Sequence, residues 1–170
     1  MRRVTVVCLG LLAGVAAVNT RPARATDDPY AALKIYDGVW RVKPDAGAET
    51  RVENHCRVTG MFYVCEQVAG DKTQALVVFM PTGPGEGDGE QTFRTQAMGT
   101  ASDASGGWSR LTISGRRWIY EPEDVPAGQK DLERMVNVFI DDDHIHFEVQ
   151  HSMDGGPWTR KTSGNEERIR

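Results

Sequence analysis

The chain has 170 residues, of which 39% are hydrophobic and 26% charged, with 18 glycines, three cysteines and a formal charge of −4. That length makes one ordinary domain. The acidic balance argues against non-specific binding to nucleic acid or to an anionic membrane, since both need a basic face.

The first element reads as an export signal. Met1-Arg2-Arg3 is a short basic region, Val4–Val18 carries no charge, and Ala23-Arg24-Ala25 supplies the small-x-small pattern that signal peptidase reads. The apolar run is shorter than the roughly 20 residues needed to span a bilayer. We therefore expect residues 1–25 to be cleaved, leaving a mature domain of 26–170, periplasmic or secreted, with no membrane insertion. Cys8 lies too early in the apolar run to serve as a lipid-anchor cysteine. Cleavage removes Arg2, Arg3, Arg21 and Arg24 but no acid, so the formal charge moves from −4 to −8. Cys56 and Cys65 remain, and in an oxidising compartment such a pair is expected to form a disulfide. No CxxC occurs, which removes support for a redox motif or a zinc ribbon.

After the signal comes a short helix. Asp28 can cap it, Pro29 suits its first position, and Tyr30, Leu33 and Tyr36 share one face before Gly38 ends it. Strands then follow at Val39–Lys43, Glu49–Val58, Phe62–Val68, Thr73–Met80, Gln91–Met98, Trp108–Ile113, Arg116–Glu121, Asp131–Ile140, His144–His151 and Trp158–Thr162, with a closing segment near Glu167–Arg170. Short loops joining so many strands make a meander. The expected fold is all-β, an antiparallel up-and-down barrel of about 8–10 strands with a short N-terminal helix, because closure removes exposed edges.

Local pattern fixes parts of the register. A turn at Ser114-Gly115 sets Leu111 opposite Trp118 and Ser109 opposite Tyr120, with Leu111, Ile113, Trp118 and Tyr120 on one face. Around Asp141–Asp143, a two-residue turn places Val136 and Val138 with Ile145, Phe147 and Val149. A three-residue turn brings in Met135 and Phe139 instead, and the sequence leaves both open. A tight turn at Thr59-Gly60 would set the cysteines diagonally, so direct pairing calls for a four-residue loop over Thr59–Phe62 or a bulge. Ala75–Met80 is apolar on both faces. Its outer face needs cover from the N-terminal helix or a loop, or from a second copy of the chain in a homodimer.

Asp37-Gly38-Val39-Trp40, following a short helix and opening the first strand, resembles the Gly-x-Trp signature of the calycin superfamily, which includes lipocalins and fatty-acid-binding proteins. The chain also resembles small exported bacterial barrels of unknown function built on that plan. The resemblance implies that Gly38 and Trp40 close the narrow barrel end and that a late basic residue, Arg168 or Arg170, lies across the Trp40 ring. The chain departs from true lipocalins in its extra strands and in lacking a second lipocalin motif. An up-and-down barrel gathers the long loops at one end, which is then the mouth.

Few residues carry chemistry in their spacing. His144 and His146 point the same way on one strand, beside Asp143 and Glu148, and are weak metal candidates. Because Ile145, Phe147 and Val149 are the more apolar set, both histidines are expected on the outer wall, and no metal is assigned. Asp141–Asp143 reads as a turn, lacking the spacing and glycine of a calcium loop. No Gly-x-Ser-x-Gly elbow occurs. Glu66, Glu148 and Asn54 are generic acid–base groups of a barrel. Tyr63, Phe93, Trp118, Tyr120 and Phe147 form the expected ligand pocket, since in a barrel the core and the pocket lining are one surface. The expected function is binding of a small, largely apolar ligand without catalysis and without a cofactor. The alternatives are an enzyme or a haem- or metal-binding barrel using polar cavity residues, or a filled structural barrel. A cavity above roughly 300 Å³ would favour the first two, and an inward histidine or carboxylate would favour chemistry.

Overall fold

A computed structural model describes residues 28–87, 89–99, 107–123, 125 and 127–169. Residues 1–25, expected to be the export signal, and Thr26, Asp27 and Arg170 lie outside them. Ten strands form one closed antiparallel barrel: β1 (Gly38–Pro44), β2 (Thr50–Thr59), β3 (Phe62–Ala69), β4 (Lys72–Pro84), β5 (Gln91–Gly99), β6 (Ser109–Ser114), β7 (Arg117–Pro122), β8 (Asp131–Phe139), β9 (His144–Met153) and β10 (Thr159–Arg168). Each strand pairs with its sequence neighbours, and β1 pairs with β10 to close the ring. Closure of the ring leaves no strand with a wholly free side, although Gln96–Gly99 of β5 extend past the β6 ladder and Asp131–Arg134 of β8 past the β7 ladder.

The expected strands are present, and three details differ. β4 runs on to Pro84, so the β4–β5 hairpin loop is shorter than the composition of residues 81–90 implied. β10 continues through Ser163 to Arg168 as one strand rather than stopping at Thr162 before a separate closing segment. The N-terminal element is a 3₁₀ helix, Ala32–Tyr36, with no side-chain cap; Asp28 instead accepts from the Tyr30 N–H, 3.0 Å.

Two hairpin turns are displaced by one residue from their sequence-based places. They lie at Gly60-Met61 and Gly115-Arg116, with Thr59 opposite Phe62 and Ser114 opposite Arg117. Glycine thus takes the first of two loop positions, at φ 62° and 57°, while the residue after it keeps negative φ. That is the glycine-first pattern of type II′ hairpins, not the X-Gly order the sequence reading assumed. Leu111 is opposite Tyr120, and Ile113 opposite Trp118; the four still share a face because the shift preserves parity. The same correction places Cys56 directly opposite Cys65 without a longer loop or bulge, and the two form a disulfide.

At Asp141–Asp143 the three-residue alternative is realised. Phe139 faces Ile145, Asn137 faces Phe147 and Met135 faces Val149. The inward rows hold the core, including Trp40, Tyr63, Phe79, Phe93, Leu111, Trp118 and Ile145. The 3₁₀ helix belongs to that core. Leu33 is fully buried, and Tyr30 stacks on Tyr63 and Phe93, with ring centroids 5.6 and 6.3 Å away. Being inside the barrel, the helix leaves the outer face of β4 uncovered, contrary to one sequence-based option: Leu76, Val78 and Met80 are half-buried beside their strand neighbours.

Candidate functional site

The site follows from where the helix sits. Tyr30 Oη donates to the Met61 carbonyl in the β2–β3 turn, and Arg168 Nη2 donates to the Ile35 carbonyl. The helix therefore plugs the end that carries the tight turns. Tyr36, its last residue, stacks on Trp118 (5.5 Å) and meets Phe139 edge-on (6.2 Å). Its carbonyl accepts from Trp40 Nε1 at 3.1 Å and from Asn54 Nδ2 at 3.2 Å.

Arg168 locks the plug. Its guanidinium lies 4.3 Å from the centre of the Trp40 ring, donates to the Asp37 carbonyl at 2.6 Å and pairs with Asp143 at 3.3 Å. Gly38 has φ 125°, and a Cβ there would stand 2.6 Å from Arg168 Nη1. Glycine is required twice over, for the backbone and for the room the guanidinium occupies. Trp40 is 1% exposed. The closed antiparallel barrel thus fits a calycin-like plan in its coarse features.

Above the plug lies a cavity of about 250 Å³. Val77, Phe79, Ala97 and Met135 give it apolar walls, and Cys65 of the disulfide lies along one side. Its polar lining is Gln67, Thr95, Ser109 and the two tyrosines, Tyr36 and Tyr120. The exposed Ala97 and Met135 mark where it opens, toward the end away from the plug.

Of the five aromatics expected to line a pocket, only Tyr120 does so. Tyr63, Phe93 and Trp118 are buried lower down, packed on Tyr30 and Tyr36. Phe147 faces Gly164, where a Cβ would fall 2.6 Å from its ring. His144 and His146 stand on the outer wall. His144 Nδ1 lies 2.8 Å from Asp141, and His146 Nδ1 lies 3.1 Å from Asn165. Among the described residues no three His, Cys, Asp or Glu side chains are grouped to hold a metal.

Sequence reasoning missed the polar cluster at the cavity floor. Asn137 is fully buried and donates through Nδ2 to Tyr36 Oη at 2.7 Å. The Tyr36 and Tyr120 hydroxyls are hydrogen-bonded to each other, and burial raises both above the ordinary tyrosine value. Glu166 faces inward between Val42 and Ile145. Desolvation pushes its carboxyl up to about 7, and its charge opposes ionisation of both tyrosines. The signal that could have found it is parity: Glu166 lies two residues before Arg168, on the side of β10 that meets Trp40.

At the open end two arginines on the outer wall hold tryptophans that precede strands. Arg94 lies 4.6 Å from the Trp108 ring and Arg134 lies 4.4 Å from the Trp158 ring. Arg134 also donates to Glu121 and Gln150, each at 2.8 Å. These contacts anchor the chain where it enters β6 and β10. No helix among the described residues is long and apolar enough to cross a membrane. No protein-family model matches the chain, and no curated protein matches it in sequence.

Proposed function

We propose that the protein is a calycin-like carrier related in plan to lipocalins and fatty-acid-binding proteins, exported to the periplasm or secreted, which holds a small, largely apolar molecule without transforming it. The observation that carries this reading is the cavity of about 250 Å³ above the plug, with Val77, Phe79, Ala97 and Met135 as its apolar walls. Removing an apolar guest from water into such walls stabilises the complex by roughly 25 cal/mol per Å² buried. The volume falls short of the roughly 300 Å³ that by size alone would set a binding barrel apart from a filled one, so the reading rests on the apolar lining and the opening at Ala97 and Met135, and the guest is smaller than a drug-sized ligand. The intra-barrel disulfide supports an oxidising compartment.

One observation favours a second reading. Glu166 is an inward carboxylate held near neutrality, as a general acid or base would be. The carrier reading is preferred because no histidine or carboxylate is among the residues lining the cavity to activate the Ser109 or Thr95 hydroxyl, and no three His, Cys, Asp or Glu side chains among the described residues are grouped to hold a metal.

Native mass spectrometry of the protein from its own cell envelope, with ethylbenzene titration as a fallback probe, tests the proposal. The expected result is a retained small molecule, or saturable ethylbenzene binding, that Val77→Phe abolishes by filling the cavity. A bare protein mass together with no ethylbenzene binding would overturn the carrier reading. Release of a chemically altered molecule would replace it with the acid–base reading.

A further inference from the structure

We infer that the cavity takes a neutral carbonyl compound: a small apolar molecule whose one carbonyl oxygen accepts from the facing hydroxyls of Thr95 and Ser109. The inference rests on the carrier reading above and narrows it to one chemical class.

The sheet itself builds the hydroxyl pair. Thr95 of β5 is directly opposite Ser109 of β6, and both line the cavity. Residues directly opposite on antiparallel strands have Cβ atoms about 4.5–5.5 Å apart. Two hydroxyls at that spacing can both reach one oxygen set between them, at about 2.7–2.8 Å from each. On the other side of Thr95 the wall turns apolar, with Phe79 opposite it and Val77 paired with Ala97 one inward position nearer the mouth. A guest whose oxygen sits at the pair therefore lays its carbon skeleton along Phe79, Val77 and Ala97.

Thr95 is the group that lacks a partner. It is 3% exposed, and its Oγ1 is buried without a hydrogen bond among the described residues. The other polar groups of the lining are placed differently. The Tyr36 and Tyr120 hydroxyls are bonded to each other. Gln67 shares a rung with Ala75 and Gly99, two inward positions nearer the mouth than Thr95, and is only half-buried. A buried hydroxyl proton without an acceptor is costly, and a guest that takes it gains what the empty site lacks.

The chemistry of the lining then chooses among guests. None of the residues lining the cavity is charged, so an ammonium or a carboxylate would leave water without meeting a counter-charge. A hydrocarbon leaves the Thr95 hydroxyl unmet. An alcohol accepts from the pair but brings a proton of its own, which needs a further acceptor among apolar walls. A carbonyl oxygen brings two lone pairs and no proton, which matches two donors.

Isothermal titration of the purified protein with acetophenone, 1-phenylethanol and ethylbenzene, which share one carbon skeleton, tests the inference. Acetophenone is expected to bind at least about fivefold tighter than the alcohol. Thr95→Val keeps the side chain's shape; it should weaken acetophenone about tenfold, the worth of one hydrogen bond, while ethylbenzene affinity holds or rises. Ser109→Ala should weaken acetophenone selectively as well, giving a second measurement should Thr95→Val fold poorly. If ethylbenzene binds but acetophenone has no advantage over the alcohol, or that advantage survives both variants, the carbonyl inference is wrong and the carrier reading stands. If none of the three binds, both are wrong.

Discussion

Gly38 and Arg168 are 130 positions apart in the chain yet occupy one small volume, and the structure sets what happens when that volume is contested. In Gly38→Ala the new Cβ would approach Arg168 Nη1 to 2.6 Å on a backbone held at φ 125°. The backbone alone costs about 1–3 kcal/mol for a residue with a Cβ. The displaced guanidinium then loses its seat on Trp40, about 1 kcal/mol in a partly buried setting, and its charge-assisted bond to the Asp37 carbonyl, about 1.5 kcal/mol. The sum is about 3.5–5.5 kcal/mol, near the whole stability of many small domains. In an Arg168→Ala background the second part has already been lost, so Gly38→Ala should cost only the backbone part. Urea unfolding followed by tryptophan fluorescence on the four proteins of this double-mutant cycle measures the difference, expected at about 2.5 kcal/mol. If the two substitutions add within about 0.5 kcal/mol, Gly38 is required for its backbone alone and the shared-volume argument is wrong.

Trp40→Ala, which empties a buried indole site, should cost about 3–5 kcal/mol in the same assay; a loss under 1 kcal/mol would mean the plug does not depend on that ring. Replacing Cys56 and Cys65 by Ala reopens a loop with a sequence separation of 9 and should lower stability by about 2–3 kcal/mol with the fold kept, as circular dichroism would report. Glu166 has its folded-state carboxyl raised to about 7 from an ordinary 4.5, so between those values the folded protein keeps a proton that the unfolded chain has released. Stability should therefore fall as pH rises through that window, by of the order of 3 kcal/mol in total. Glu166→Gln should flatten this dependence and raise the melting temperature at pH 8; an unchanged pH profile would place the carboxylate in water.

The strand pattern was readable because alternation and turn residues repeat so regularly here. The faces were readable for the same reason: Leu111, Ile113, Trp118 and Tyr120 remain together even though their turn is displaced by one residue. What alternation does not encode is depth along the barrel axis. Tyr63, Phe93, Trp118 and Tyr120 all point inward, and only the helix, by filling the lower part, decides that Tyr120 meets the cavity while the others meet Tyr30 and Tyr36. The sequence showed that Tyr30, Leu33 and Tyr36 share a face, but a helix before a barrel can lie outside or inside it. Glu166 was hidden for a different reason. Ser163–Glu167 reads as a polar tail, and only its ladder with β1 turns one of two adjacent glutamates inward.

The pairing of β1 with β10 has a kinetic meaning as well. The closing contacts join residues as far as 133 positions apart, from Ile35 to Arg168, and each requires the loop entropy of nearly the whole domain to be overcome first. An open ten-stranded meander would present the free sides of β1 and β10 until that last ladder forms. The barrel should therefore fold late and all at once, on the slow scale of non-local β topologies, and the ring closed by Arg168 over Trp40 is the step that commits it.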